Sequence, residues 1–564
     1  MKTTKITGAQ AVMKSLVAEQ ANTIFGYPGG AIMPIYDALY DYKESVNHIL
    51  TRHEQGSIHA AQGYARTSGK TGVVFATSGP GATNLITGLA DAMIDSTPLV
   101  CITGQVASHL LGTDAFQETD VVGISMPITK WNIQVTKAND IPAAIAKAFY
   151  IAQSGRPGPV LIDITKDAQF GLTDFEYEKC SNIRSYYPKP KLKKSSAEDA
   201  AKLINEAKKP YLLIGQGIML SNAEKELLEF VEKSGIPVAS TLLGLGAFPQ
   251  NHSQYVGYLG MHGDYAPNIK TNECDVLIAI GMRFDDRVTG DVSRYATQAK
   301  VVHIDIDASE LNKIIKADVA VHADAKEALK VLTQLVTTKQ HTAWLQEFKD
   351  AKKVELETLQ SSAKELYSDE LKMDEVIKML SEITNGEAVV VTDVGQHQMM
   401  TARYYQYNKT KSNVTSGGLG TMGFALPAAI GAKFGAPQKP VVAIIGDGGF
   451  QMTLQELGTI LQSEVDIKII ILNNRFLGMV RQWQQLFFEK RYSFTEMISP
   501  DFIALSKAYS IEAKRLEVRA DLKESLVEML NYKGAYLLEV MVAKEENVFP
   551  MMTTGASVSE IRLN

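Results

Sequence analysis

VVAIIGDGGF, residues 441–450, runs five apolar residues into a carboxylate held between glycines. The apolar run is short, unbroken and partly β-branched, the pattern of a strand buried on both faces in a parallel sheet. In open α/β sheets, ligands bind at the carboxyl ends of the strands. Asp447 falls at such an end, and Gly446, Gly448 and Gly449 let the backbone approach a bulky anion closely. Alone, a GDG reads first as an acidic turn or a helix cap. A second apolar run, IKIIILNNRF (467–476), changes that reading: it ends in Asn473-Asn474, with 24 residues between Gly448 and Asn473. The interval suits one crossover helix, so neighbouring parallel strands would bring Asp447 and Asn474 together.

One carboxylate, one amide oxygen and a backbone carbonyl, completed by diphosphate oxygens and water, make an octahedral Mg²⁺ site. GDG followed by NN at this interval resembles the thiamine diphosphate (ThDP) motif. Around it, strand-like and helix-like runs alternate from end to end, which predicts an α/β protein of three consecutive doubly wound parallel-sheet domains. The first spans 1–176, with strands near TIFGYP, GVVFATS, PLVCITG and GPVLIDIT, and a polar, proline-bearing linker follows at 177–199. The second spans 191–340, with strands at PYLLIGQG, VLIAIG and AKVVHIDID, and a charged helical stretch at 344–360 separates it from the third. The third spans 373–544 and holds AVVVTDVG, the GDG strand and the NN strand. Residues 545–564 lack periodicity and read as a loop-like tail. The N-terminus, MKTTKITGAQAVMKSLVAEQ, reads as going straight into an amphipathic helix.

Composition narrows the function classes. The 564 residues are 45% hydrophobic and 21% charged, as in an ordinary globular protein. A net charge of −6, without a basic cluster interleaved with aromatics, gives no footprint for nucleic acid. Cys101, Cys180 and Cys274 stand far apart, and the ten histidines show no ligand spacing, so neither a disulfide framework nor a zinc site is expected. No signal peptide, transit peptide or 18-residue apolar span is read, so no membrane association and a cytoplasmic location are expected. The middle segment's GQG (215–217) lacks the last glycine of GxGxxG and is a weak dinucleotide fingerprint.

Taken together, YPGGA (27–31), RHEQ (52–55), TSGPGATN (77–84), GTDAFQE (112–118), RFDDRVTG (283–290), GGLGTMGFALPAAIGA (417–432), the GDG–NN pair, GMVRQWQQLFF (478–488) and FPMMTTG (549–555) resemble the ThDP-dependent decarboxylase superfamily. The likeness covers essentially the whole chain and is closest to the biosynthetic acetolactate synthase (acetohydroxyacid synthase) large-subunit family. It implies a pyrimidine-binding domain, a central FAD-binding domain and a diphosphate-binding domain, with the tail lying over the active site. It implies decarboxylation of pyruvate and transfer of a hydroxyethyl unit to a second pyruvate or to 2-ketobutyrate, the first common step of branched-chain amino acid synthesis. ThDP, Mg²⁺ and an FAD without a redox role would be the cofactors. The two halves of the ThDP site would come from different chains of a homodimer or homotetramer, and a separate regulatory small subunit is a possible partner. Against the catabolic, FAD-free acetolactate synthase stand RFDDRVTG and QWQQLFF. A flavin-dependent pyruvate oxidase would need an electron acceptor, and intact Glu54, Asp447 and Asn474 argue against a non-catalytic regulatory relative.

By the same resemblance, Glu54 is the acid that hydrogen-bonds the aminopyrimidine, a role that asks for a shielded carboxyl in apolar surroundings. As a bare sequence feature it is a helix-start carboxylate. Asp447, Asn474 and the carbonyl of Phe476 match the metal ligands. Gly30, Asn84, Gly395, Gln396, His397, Gly420, Met422, Gly448, Gly449, Gly478, Met479 and Val480 match residues around ThDP, although a methionine such as Met422 also fills core gaps anywhere. Gly215, Gly217, Thr241, Leu242, Leu259, Gly260, Met261, His262, Gly281, Arg283, Asp285, Arg287, Asp305, Ile306 and Asp324 match the FAD contacts; without the likeness, 283–287 is a surface charge cluster. Arg287 also matches the anchor for the acceptor's carboxylate and Trp483 the cover for its alkyl end, with Phe116, Gln117 and Lys166 nearby. Read alone, Trp483 anchors a loop or interface. Two positions depart from the family pattern: Ala107 and Thr553 stand where proline is common, which bears on inhibitor sensitivity and loop closure.

Overall fold

The computed structural model describes residues 5–365 and 370–564, the side chains of 361–365 excepted. Among them stand three six-stranded sheets in which every pairing is parallel. The first orders its strands Asn47–Leu50, Thr23–Gly26, Gly72–Ala76, Leu99–Gln105, Pro159–Thr165, Trp131–Val135. The third runs Asn413–Thr415, Val389–Thr392, Val441–Gly446, Lys468–Asn473, Tyr536–Met541, Glu512–Leu516. Numbered by chain position, both read 2-1-3-4-6-5, so the two outer sheets are topological copies. The middle sheet runs Tyr255–Tyr258, Val238–Ser240, Pro210–Ile214, Val276–Ile280, Lys300–Asp305, Val319–His322, which is 3-2-1-4-5-6, the doubly wound order that binds dinucleotides.

Central strands are buried on both faces, which is why they read as unbroken apolar runs: Val441 to Ile445 and Ile469 to Leu472 are each at most 1% exposed. Shorter or half-exposed strands escaped that signal. Asn47–Leu50, Trp131–Val135 and Tyr255–Tyr258 carry polar residues or glycine and sit at sheet edges. The N-terminal reading needs a correction. Within the described residues the chain first forms a strand, Lys5–Thr7, paired antiparallel with Leu172–Asp174; the first four residues of that reading lie outside the described ones. Thr7 then caps the helix Gly8–Ala18 through a reciprocal bond pair with Gln10, so a cap stands where uninterrupted helix was expected. The linker is irregular until Lys194, where the helix Lys194–Glu206 begins.

The outer domains meet inside one chain. Helix Glu54–Ser68 lies against helix Ala425–Gly435 so closely that a Cβ at Gly63 would stand 1.9 Å from the Ala428 carbonyl oxygen. A Cβ at Gly431 would stand 1.7 Å from the Ala60 oxygen. A guanidinium joins the middle domain to the third: Arg403, 2% exposed at its side chain, reaches Glu355 on helix Thr342–Glu365 at 2.7 Å and Asp264 at 3.3 Å. The helix contact gives a direct test. Gly431→Ala should lower stability by at least about 1–3 kcal/mol, because neither backbone can yield without moving its sheet. Thermal unfolding reads the loss, and an unchanged midpoint would show that the two helices separate freely.

Candidate functional site

At the carboxyl edge of the third sheet, register places the ends of two strands side by side: Gly446 pairs with Leu472, so Asp447 emerges beside Asn473 and Asn474. The two asparagines differ in employment. Asn473 gives its amide to Glu539 at 2.8 Å and takes the Arg475 N–H at 3.0 Å, which ties it to the sheet. Asn474 gives its amide to Gln396 at 3.3 Å and takes the Phe476 N–H at 3.0 Å, and it faces a small cavity. Gly395, Gln396, His397, Met422, Asp447, Gly448, Gly449, Asn474, Phe476, Gly478, Met479 and Val480 all line this space of about 60 Å³.

Asp447 is 1% exposed, and burial pushes its carboxyl up to about 7; N–H and Ser499 hydroxyl donors offset part of the rise, and the Glu539 carboxylate adds to it. A buried acid with no cation among the groups that shift it is a place for a divalent ion. Asp447, Asn474 and the Phe476 carbonyl supply hard oxygen donors of the kind Mg²⁺ takes. His397, lowered to about 4 by burial, leaves Nε2 without a hydrogen-bond partner at the same cavity, a polar atom that a bound polyanion would satisfy. A Cβ on Gly395 or Gly446 would stand 2.8 or 2.9 Å from its ring, so both glycines make room for it.

A larger cavity of about 700 Å³ opens at the middle sheet's switch point. Every residue matched to FAD lines it, and each follows a strand end. Gly215 and Gly217 follow the first strand; Thr241 and Leu242 the second; Leu259, Gly260, Met261 and His262 the third. Gly281, Arg283, Asp285 and Arg287 follow the fourth; Asp305 with Ile306 closes the fifth, and Asp324 follows the sixth. The weak GQG gains meaning from topology: a Cβ on Gly217 would stand 2.5 Å from the Cα of Gly281, where the strand order reverses. His262 is lowered to about 3 by burial and by the nearby Arg403 and Arg287, and its Nδ1 has no partner. The cavity size lies in the upper part of the range for ligand sites, roughly 300–1,000 Å³.

The two cavities share Val394, Gly395, Met422, Met479 and Val480 as walls, and Arg287 and Trp483 both face the larger one. Gly420 lines only the larger. Arg283, Asp285, Asp286 and Arg287 therefore form a cavity wall as well as a charged surface, with Arg287 Nη1 against the Met261 sulfur at 3.4 Å. The tail packs across this region. Its Glu546 carbonyl takes the Gln396 amide at 2.9 Å, and Val548 exchanges hydrogen bonds with Gln482. Met552 N–H donates to the Met261 carbonyl at 2.7 Å. Sequence reasoning missed Gln216, Ser221, Arg156 and Glu310 in the larger cavity. Gln216 stood inside the quoted GQG, whereas Arg156 arrives from the first domain and carries no local signal.

Gly30, Glu54, Asn84, Phe116, Gln117 and Lys166 all follow strand ends of the first sheet, yet none lines either cavity. Glu54 is buried at the start of its helix, and Asn84 donates its amide to Glu54 Oε2 at 2.9 Å. Its surroundings are thus partly polar, where apolar ones were expected. Phe116 is 87% exposed, Lys166 is exposed, and Gln117 takes a left-handed φ of 60°. A single chain does not bring these six residues to the other set. Ala107 and Thr553 are half-buried, the first ahead of the turn Ser108–Leu110 and the second in the tail.

The chain matches the thiamine pyrophosphate enzyme N-terminal TPP binding domain over residues 6–124, the central domain over 197–332 and the C-terminal TPP binding domain over 393–540. It is 46% identical over 560 residues to the acetolactate synthase isozyme 2 large subunit of Escherichia coli (strain K12), covering 99% of each chain. It is 46% identical to the acetolactate synthase large subunit of Corynebacterium glutamicum, over 99% of this chain and 90% of that one. Against the acetolactate synthase large subunit of Lactococcus lactis the identity is 44%, over 98% and 96%.

The buried acid makes its own prediction. A carboxyl raised in the folded state favours folding below the ordinary carboxylate range and loses that contribution as pH rises through about 7. In metal-free protein at about pH 8, Asp447→Asn should therefore raise stability by about 1–3 kcal/mol, a gain that shrinks on acidification. Added Mg²⁺ should raise the wild-type unfolding midpoint and leave that of the variant in place. A midpoint that responds to Mg²⁺ equally in both would exclude Asp447 as a metal ligand.

Proposed function

Because the chain belongs to the acetolactate synthase large-subunit family of thiamine pyrophosphate enzymes, we propose that it is the catalytic chain of a biosynthetic acetolactate synthase. It decarboxylates pyruvate and joins the two-carbon unit to a second pyruvate, giving 2-acetolactate, or to 2-ketobutyrate, giving 2-aceto-2-hydroxybutyrate. The observation that carries this reading is the meeting of the two cavities at Met422 and Met479, beside Arg287 and Trp483.

ThDP, when bound, supplies a nucleophilic carbon and an electron sink for the decarboxylation. The chain's own residues do the rest. Asp447, Asn474 and the Phe476 carbonyl hold Mg²⁺, and Gly395, Gln396 and His397 hold the diphosphate beside it. Glu54 handles the proton at Oε1, with Oε2 fixed by Asn84. Arg287 takes the acceptor's carboxylate with its planar fork. Trp483, tilted against Phe487 with ring centroids 4.9 Å apart, covers the acceptor's alkyl end. FAD occupies the larger cavity without a redox role, and that cavity favours this reading over the FAD-free catabolic enzyme.

Glu54, Phe116, Gln117 and Lys166 reach the diphosphate half from a second copy of the chain. Exposed apolar side chains at both sheet edges support this, Phe116 and Phe170 on one and Phe494 and Ile498 on the other. The relatives are named large subunits, which supports a separate regulatory small subunit. Among the described residues no helix is long and apolar enough to cross a membrane, and we place the enzyme in the cytoplasm, in branched-chain amino acid synthesis.

The chain expressed alone should make acetolactate from pyruvate only when ThDP and Mg²⁺ are both present, and should release flavin on denaturation. Failure to form acetolactate under those conditions overturns the proposal. Glu54→Gln should cost about 10²–10⁴ in turnover and slow C2–H exchange of bound ThDP by NMR; wild-type exchange would remove Glu54 from that role. Trp483→Leu should lose most of the preference for 2-ketobutyrate, worth about 1–3 kcal/mol, while pyruvate self-condensation survives. The product ratio under competition reads it, and an unchanged ratio makes Trp483 a packing residue.

A further inference from the structure

The loop 416–422 runs between the two cavities. Ser416 to Gly420 and Met422 line the larger, and Met422 also lines the smaller. Its shape is set by two acids from the first domain of the same chain. The N–H groups of Gly417 and Gly418 donate to Asp95, at 2.8 Å to Oδ2 and 2.7 Å to Oδ1. Arg66 joins the same Oδ2 at 2.8 Å and gives a second N–H to the Thr415 carbonyl at 2.6 Å. One turn back along helix Ile86–Ile94, Asp91 Oδ1 takes the hydroxyls of Ser416 and, at 3.3 Å, Thr421. The Ser416 oxygen in turn accepts the Thr421 N–H at 2.8 Å.

This arrangement is costly as mere packing. Asp91 and Asp95 are at most 1% exposed, and the one guanidinium at hand, Arg66, pairs with Asp95 alone. Asp95 caps the carboxyl end of its helix, where the backbone dipole disfavours an anion. Asp91 is pushed up to about 6 by burial and by Asp95, and its Oδ2 has no partner. What offsets the cost is Arg66 together with the donors arriving from the loop, two consecutive backbone N–H groups on the Asp95 carboxylate among them. A Cβ on Gly418 would stand 2.8 Å from Ile94 and 3.0 Å from Asp95 Oδ1, so the loop must be bare there to reach the acids.

We propose that Asp91 and Asp95 are positioning residues for the cofactor site: through the Ser416 hydroxyl and the Gly417 and Gly418 amides they hold the loop in the shape that presents Met422 to the smaller cavity. Neither acid lines a cavity, so the effect reaches the site only through the loop. The proposal rests on the assignment of ThDP to that site. It also gives the first domain two duties, since its Glu54 is assigned to the partner copy's site while its Asp95 shapes the chain's own.

The test is calorimetric titration of the metal-loaded, ThDP-free protein with ThDP, together with ThDP-dependent kinetics. In Asp95→Asn an amide N–H would replace one of the two acceptor oxygens. ThDP affinity should fall about 10–100-fold, as when a supporting partner of a ligand group is removed, and kcat should recover most of its value at saturating ThDP. Ser416→Ala, which removes a hydroxyl from Asp91 and leaves Asp95 paired to Arg66 and the glycine amides, should weaken ThDP by a smaller factor in the same direction. Wild-type ThDP affinity in a folded Asp95→Asn protein overturns the proposal, whatever its unfolding temperature, and leaves the pair as a pin between domains. If Asp95→Asn does not fold, unchanged affinity in Ser416→Ala overturns it. If the wild type itself fails to bind ThDP, the cofactor assignment falls, and this inference with it.

Discussion

Two parallel strands that end side by side set the terms for everything else in this chain. Because Gly446 is paired with Leu472, Asp447 leaves the sheet beside Asn473, and Asn474 follows at the same edge. The sheet behind them is largely apolar on both faces, and no cation is among the groups that shift Asp447. An acid in that position stays protonated or takes up a cation. The glycines at 395, 446, 448 and 449 line the small cavity that Asp447 faces. The site is a consequence of strand adjacency, and the surrounding glycines follow from it.

The same rule is applied three times. In each sheet the candidate residues follow the carboxyl ends of strands, near the point where strand order reverses. The outer sheets share one order and the middle sheet has another. The middle one opens a cavity large enough for a dinucleotide, and the third opens only a small one. Arg403 binds these two domains where their cavities approach, with Glu355 and Asp264 as its buried acids. It also donates to the Gly263 carbonyl at 3.0 Å, at the end of the loop that lines the larger cavity. Breaking such a pair leaves a buried charge unpaired, so the contact fixes geometry more than it adds stability.

Much of this was legible in the sequence, for identifiable reasons. Doubly buried strands announce themselves as unbroken runs such as VVAII, and their ends are marked by glycine and polar residues. The α/β class and the pairing of Asp447 with Asn474 follow from that. Short edge strands such as Trp131–Val135 are partly exposed and carry no such run. The capped start of helix Gly8–Ala18 depends on a strand that pairs with Leu172–Asp174, far along the chain. The site divides the same way. Residues just after a strand could be placed, but Arg156, Asp91 and Asp95 act across domain boundaries, and no local pattern marks an aspartate that will meet a glycine amide more than 300 residues later.

The backbone contact between helices Glu54–Ser68 and Ala425–Gly435 has a consequence for the chain as it is made. The first sheet and its helices are complete by about residue 174, but the helix that covers residues 60–63 ends at Gly435. At synthesis rates of roughly 5–20 residues per second, that face waits on the order of 10–50 s for its partner. During the wait a stripe of glycine and alanine backed by apolar side chains is open to the wrong neighbour, including the same stripe on another nascent chain. A small-residue surface that is indispensable in the finished molecule is thus a liability on the ribosome, and chaperone occupancy of the nascent chain should be greatest before residue 435 emerges.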